Sequence, residues 1–289
     1  MGISSVMVVG AGQMGGGIAQ VMAAAGRKTY LNDVSMDLVK GRLDFIEKIL
    51  EKDVGKGKIT ADVKAATLAN LIPSADLKDA AGCDIVIEAI VENMDVKSKV
   101  FSTLDSVCKP EAILATNTSS LPITSIAAST KRPEKVIGMH FMNPVPVMKL
   151  VEIIRGLATT DEIYAAVKGL SEEIGKTPVE VRDVPGFISN RVLQMMINEA
   201  IYCLYEGVST VEDIDTVMKL GMNHPMGPLQ LADFIGLDTV LAIMNVLHEG
   251  YADSKYRPCP LLRQYVAAGW LGKKSGRGFY TYDLHTALA

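Results

Sequence analysis

Two groups of residues in this chain have the types and spacing that chemistry requires. The first is Gly10-Ala11-Gly12-Gln13-Met14-Gly15. The apolar run Ser5 to Val9 leads into it, and Ile18, Ala19, Val21, Met22 and Ala23 follow at helical spacing. A second apolar run, Thr29 to Leu31, ends in Asn32-Asp33. Strand, glycine turn, helix, strand and terminal acid together suit the binding of a dinucleotide. Gly10 allows a tight turn, Gly12 lets the backbone approach a pyrophosphate, and Gly15 lets the helix pack close on the strand. The helix start offers N–H groups and a positive dipole end to the phosphates. Asp33 stands about 20 residues on, where a carboxylate accepts hydrogen bonds from ribose hydroxyls. A glycine turn that merely packs would leave Gly15 and Asp33 without a reason.

The second group suits proton transfer. His140 closes the apolar run Val136 to Met139 and is followed by Phe141-Met142-Asn143-Pro144. Glu152 sits in the middle of Leu150-Val151-Glu152-Ile153-Ile154, and a carboxylate in an apolar strand must be paired or neutral. If the two strands are neighbours, Glu152 holds the imidazole in one tautomer. Ser119 follows the strand Ala112 to Ala115, and Glu92 follows Cys83 to Ala89. Asp33, Glu92, Ser119 and His140 therefore all fall at carboxyl ends of strands, where open parallel sheets bind ligands. Asn190 precedes Leu193 by three residues and Ile197 by seven, which puts it on the apolar stripe of a helix. A helix cap and an interface hydrogen bond account for it as well as a functional role does. Ser, His and Glu would also suit a hydrolase, but Ser119 lacks a G-x-S-x-G elbow and the glycine turn would be idle.

The elements that must position these residues follow from periodicity. Ser35 to about Leu71 reads as two amphipathic helices broken at Gly55-Lys56-Gly57-Lys58, capped by Ser35 or Asp37 and by Thr60 with Asp62. This arm reaches beyond the sheet, and Lys52, Lys56 and Lys58 cluster near its tip. Six acids share the segment, so on the spacing alone a solvated helix face is the better account of them. Beyond it, strands near 83–89, 112–115, 136–139, 149–154 and 178–181 alternate with helices near 96–107, 122–128 and 161–174. Strands apolar throughout, alternating with helices, mean a largely parallel sheet covered on both faces. The turn Asp183-Val184-Pro185-Gly186 marks a boundary. From Phe187 onward the pattern is helical, with Leu193, Ile197, Ala200, Ile201 and Leu204 on one stripe. The expected plan is thus α/β. Residues 1–184 form a doubly wound Rossmann-type domain with a helical arm at about 35–72, and residues 185–289 form a smaller all-α domain.

Composition narrows the partners. The chain has 289 residues, 48% of them hydrophobic, and a net charge of −4, which gives no electrostatic case for nucleic acid. Its cysteines, Cys83, Cys108, Cys203 and Cys259, form no CxxC pair. That argues against a zinc site or disulfide framework and fits a cytoplasmic protein. No apolar run reaches about 18 residues, so no membrane span is expected. The start of the sequence shows no basic leader.

On these motifs the chain resembles the L-3-hydroxyacyl-CoA dehydrogenases. The resemblance runs over essentially the whole length. It includes Gly10 to Gly15, Glu88 to Asn93, Asn117 to Ser120, Met139 to Pro144, Asp183 to Arg191, His224 to Pro228 and Gly272 to Tyr280. It implies that His140 exchanges the hydroxyl proton and that Glu152 orients it. It also implies that Ser119 and Asn190 hydrogen-bond the 3-oxygen and the thioester. Gly10, Gly12, Gln13, Met14, Gly15 and Asp33 would hold NAD, with Glu92, Lys97, Ser119, Asn143 and Lys274 as further cofactor contacts. NADP is the alternative cofactor, with Arg27 and Lys28 near enough to ease its extra charge. The arm's Lys52 and Lys56 become contacts for the CoA portion, no metal is required, and a homodimer through the helical domain is expected. The short 3-hydroxybutyryl-CoA and acetoacetyl-CoA pair is the favoured substrate. A dehydrogenase of free 3-hydroxy acids would not need the lysine-bearing arm. A nucleotide-binding structural protein would not need a proton acceptor.

Overall fold

The computed structural model describes residues 2–283. It divides into two compact units, the first ending at Val184 and the second beginning at Pro185.

The first unit begins with β1 (Ser5–Val9), α1 (Gln13–Ala24) and β2 (Lys28–Asn32), the expected strand, turn, helix and strand. The arm follows as α2 (Met36–Gly55) and α3 (Ala61–Ala69). Ser35 caps α2 through the amide of Asp37, and Thr60 caps α3 through the amide of Val63. The chain then enters β3 (Leu71–Ser74), a strand that the periodicity did not reveal. Leu71-Ile72-Pro73-Ser74 is too short and too polar at its end to alternate, and Pro73 stands on an edge strand, where a missing N–H is tolerated. The arm therefore stops short of residue 72.

Next come β4 (Ile85–Glu88), α4 (Met94–Val107), β5 (Ile113–Thr116), α5 (Ile123–Ala127), β6 (Val136–Phe141), β7 (Leu150–Arg155), α6 (Asp161–Glu173) and β8 (Thr177–Arg182). The eight strands form one sheet in the order β3-β2-β1-β4-β5-β6-β7-β8. All pairs are parallel except β6 with β7, which is antiparallel. Val6, Val8, Ile85, Ile87, Ile113, Ala115 and Ile137 on one face, and Met7, Val86, Leu114 and Val136 on the other, are buried, as strands covered on both faces require. The antiparallel pair arises because the connection from residue 142 to 149 is a short return rather than a helical crossover, which a parallel pair would need.

The second unit packs α7 (Ser189–Tyr205), α8 (Val211–Gly221), α9 (Pro228–Ile235), α10 (Leu237–Tyr251) and α11 (Pro260–Ala267). The stripe on α7 is real: Ile197, Ala200 and Ile201 are buried in the core, with Leu193 and Leu204 against them. Two buried carboxylates fasten the segment after α11. Asp233 accepts the amides of Phe279 and Tyr280 and the hydroxyl of Tyr282, and Asp215 accepts the hydroxyl of Tyr280 and the amides of Leu229 and Gln230.

Among the described residues, no single helix is long and apolar enough to cross a membrane, and no cluster of His, Cys, Asp and Glu is placed to hold a metal. All four cysteines are free thiols.

Candidate active site

The glycine turn has the geometry a dinucleotide needs. Gly10 has φ of +109°, and a Cβ there would lie 2.5 Å from the carbonyl oxygen of Ala89. A Cβ on Gly15 would lie 1.8 Å from the carbonyl oxygen of Gly10, so α1 packs on the turn only because this residue has no side chain. Gly12 faces open space. No side chain caps α1 and no acid stands in its first turn, which leaves the helix start suited to an anion. A cleft of about 710 Å³ opens there, lined by Ala11, Gly12, Gln13, Asp33, Asp37, Leu38, Gly41, Arg42 and Phe45.

Asp33 follows β2, and its oxygens accept the amides of Ala11 and Val34, each at 2.7 Å. A carboxylate fixed in this way keeps further lone pairs for ribose hydroxyls. These residues fit NAD. Of the two bases expected to ease a 2′-phosphate, Arg27 is ion-paired with Glu173 and Lys28 lies over the ring of Tyr30. The base in the cleft is Arg42, which sequence reasoning missed. Its Nε donates to the carbonyl of Ala11 at 3.0 Å, and its stem covers Gly16. The signal was its place on α2, two turns beyond Ser35.

His140 lies one residue inside the end of β6 and faces Glu152 directly across the antiparallel ladder. Its Nδ1 is 2.8 Å from Oε2 of Glu152, and both residues are buried. Asn117 braces the same strand end, its side-chain oxygen accepting the amide of Phe141 at 2.9 Å. The return from β6 to β7 is held at two points. Gln13 donates to the side chain of Asn143 at 3.1 Å, which ties the return to the start of α1. Lys176, whose burial lowers its pKa, donates to the carbonyls of Val145 and Met148.

Ser119 lies on the loop after β5, and Glu92 lies beneath that loop. One oxygen of Glu92 accepts the amides of Ser119 and Ser120 at 2.9 and 3.1 Å, together with the hydroxyls of Thr118 and Ser120. Burial would raise its pKa, but the charge of Lys97 and these donors outweigh that and hold it below the usual carboxylate range. Lys97 was expected to touch a cofactor. It is 1% exposed, and its ammonium lies on Glu88 at 2.6 Å and Glu92 at 3.3 Å.

Lys52 and Lys56 are exposed at the end of α2, without an ion pair among the described residues, whereas Lys58 pairs with Asp53. Two of the expected residues belong to the second unit. Asn190 is the second residue of α7 and is half-buried, and Lys274 pairs with Asp238 at 2.8 Å.

Both units match known families. Residues 5–184 match the NAD-binding domain of 3-hydroxyacyl-CoA dehydrogenase, and residues 186–282 match its C-terminal domain. The chain is 62% identical to a probable 3-hydroxybutyryl-CoA dehydrogenase of Bacillus subtilis, over 99% of this chain and 100% of that one. It is 57% identical to 3-hydroxybutyryl-CoA dehydrogenase of Bradyrhizobium diazoefficiens, over 97% and 96% of the two chains. The crystal structure of (S)-3-hydroxybutyryl-CoA dehydrogenase from Ralstonia eutropha superposes with a TM-score of 0.96 at 50% identity, covering 98% of this chain and 100% of that one. Alike in sequence over its whole length and alike in fold, the chain belongs to the 3-hydroxyacyl-CoA dehydrogenase family of NAD-dependent oxidoreductases.

Proposed function

We propose that this enzyme interconverts 3-hydroxybutyryl-CoA and acetoacetyl-CoA, with His140 as the proton-transfer group. The observation that carries the reading is the buried contact of His140 with Glu152. A carboxylate on Nδ1 fixes the tautomer and orientation, so proton exchange falls to Nε2. In oxidation His140 takes the proton of the 3-hydroxyl, and in reduction it returns one. Glu152 stabilises the imidazolium that forms between. Ser119 and Asn190 hydrogen-bond the 3-oxygen and the thioester. When bound, NAD supplies the two-electron acceptor for the carbon that carries the hydroxyl.

Gly10, Gly12, Gln13, Met14, Gly15 and Asp33 hold the dinucleotide, and Glu92, Ser119, Asn143 and Lys274 complete its site. Lys97 contributes through Glu92 rather than by its own contact. Lys52 and Lys56 meet the phosphates of CoA. The relatives' names support the short acyl chain. The working form is a cytoplasmic homodimer joined through the helical domain.

The test is to mix the protein with NADH and either acetoacetyl-CoA or acetoacetate, and to follow the loss of NADH absorbance. Turnover of the thioester alone is the expected result. Equal turnover of acetoacetate would make it a dehydrogenase of free acids, and turnover of neither would make it a binder.

A further inference from the structure

We propose that Glu88 is a positioning residue for the Ser119 loop: through Lys97 it fixes Glu92, and through Glu92 it sets the backbone that carries Ser119. The inference rests on the dehydrogenase reading above. Glu88 is the last residue of β4, in register with Thr116, the last residue of β5, and is fully buried. One oxygen accepts the amide of Ile90 at 2.7 Å and the ammonium of Lys97 at 2.6 Å. The other accepts the hydroxyl of Thr116 at 2.7 Å. Lys97 then reaches the second oxygen of Glu92, whose first oxygen is filled by the loop at residues 118–120. Contacts thus run without a break from the tip of β4 to the amide of Ser119.

The distances show how the chain divides its charge. Two carboxylates share one ammonium, and Lys97 lies nearer Glu88 than Glu92. Glu88 therefore keeps Lys97 from closing on Glu92, and Glu92 stays beneath the loop amides. Without the charge on Glu88, Lys97 has only Glu92 to satisfy it and competes with those amides. A buried ion pair is costly to desolvate, and an apolar pair of similar volume would fill the same space without that cost. The charged set is explained if its product is the geometry of the loop.

The experiment compares Glu88→Gln, Lys97→Met and the double variant with the parent protein. Amide hydrogen exchange at Ser119 and Ser120 is read without ligands, and kcat, KM and the melting temperature are read alongside. In Glu88→Gln the two amides should exchange faster. Its kcat should fall about 10- to 100-fold with KM within about threefold, because a small misplacement near the reacting atoms acts on the transition state. The double variant removes both buried charges and should recover melting temperature, but not kcat or amide protection. If Glu88→Gln leaves exchange and kcat unchanged, or if the double variant recovers kcat together with stability, then Glu88 is only half of a structural ion pair. A parent protein inactive with acetoacetyl-CoA and NADH would overturn the dehydrogenase reading, while the exchange measurement would still decide the role of Glu88.

Discussion

Nδ1 of His140 lies 2.8 Å from Oε2 of Glu152, and the two residues are register partners across the antiparallel seam of the sheet. Because the contact spans a ladder rung, the orientation of the imidazole is set by backbone pairing and not by a loop. His140→Asn should fold and bind NADH but lose about 10²- to 10⁴-fold in kcat, with KM changed far less. Glu152→Gln should lose less. The double variant should be little worse than His140→Asn, since the carboxylate acts through the ring. Steady-state kinetics on the four proteins checks this, and losses that simply multiply would count against a joint role.

Asp33 should make the enzyme prefer NADH. A 2′-phosphate would meet a carboxylate that two backbone amides hold in place, and like charges at close range cost about 1–4 kcal/mol in a partly solvated site. Arg42 shares the cleft with Asp33, so it offsets part of this. Arg42→Ala should widen the preference, measured as the ratio of dissociation constants for NADH and NADPH. A ratio that narrows would put the source of selectivity elsewhere.

Lys52→Ala with Lys56→Ala should raise KM for acetoacetyl-CoA several-fold and make it less sensitive to salt, as screened phosphate contacts imply. The affinity for NADH should not move. An unchanged KM across a salt series would return these lysines to the solvent.

Acid stability should depend on Asp84. Burial would raise its pKa, but the hydrogen bonds from Lys109 and from Ser4 and Ser5 prevail and hold it well below the usual range. A folded value below the unfolded one gives stability that is present above about pH 4 and lost as pH falls further towards the folded value. Asp84→Asn should therefore cost about 1–3 kcal/mol at neutral pH, and the gap should narrow at pH 3. A gap that stays constant in thermal melts at both values would mean that the charge is not its source.

The helical unit exposes Val192, Val208, Val217, Leu220, Met222 and Phe234. Val217 and Leu220 lie three apart on α8 and so share a face. Light scattering at micromolar concentration should give twice the chain mass, and Leu220→Glu should shift the protein towards the single mass. A parent protein already monomeric would refute this.

The sequence made the nucleotide turn legible because glycines and a strand-end acid have few other uses. It made His140 and Glu152 legible because a carboxylate in an apolar strand needs a partner. It did not show that their strands are antiparallel, since a short return and a crossover differ in length and not in apolar pattern. Nor did it show β3, where Pro73 and Ser74 break the alternation. The resemblance implied Lys97 as a cofactor contact, and its pairing with Glu88, nine residues away along a strand, turn and helix, carries no periodic signal that would have shown otherwise. Arg42 was hidden for the opposite reason, as one base among many on an amphipathic helix.

Asp215 and Asp233 have a consequence for the timing of synthesis. Both sit in the first half of the helical unit, yet several of their donors come from Phe279, Tyr280 and Tyr282. While the chain is being made, helices α7 to α11 can leave the ribosome and collapse with these two acids still short of partners. The unit closes only when the segment around Gly278 arrives, and a side chain there would collide with Asp233. Domains tend to fold as they emerge. This one draws on donors from the segment after α11, so a chain cut before Gly278 leaves Asp215 and Asp233 buried without those partners.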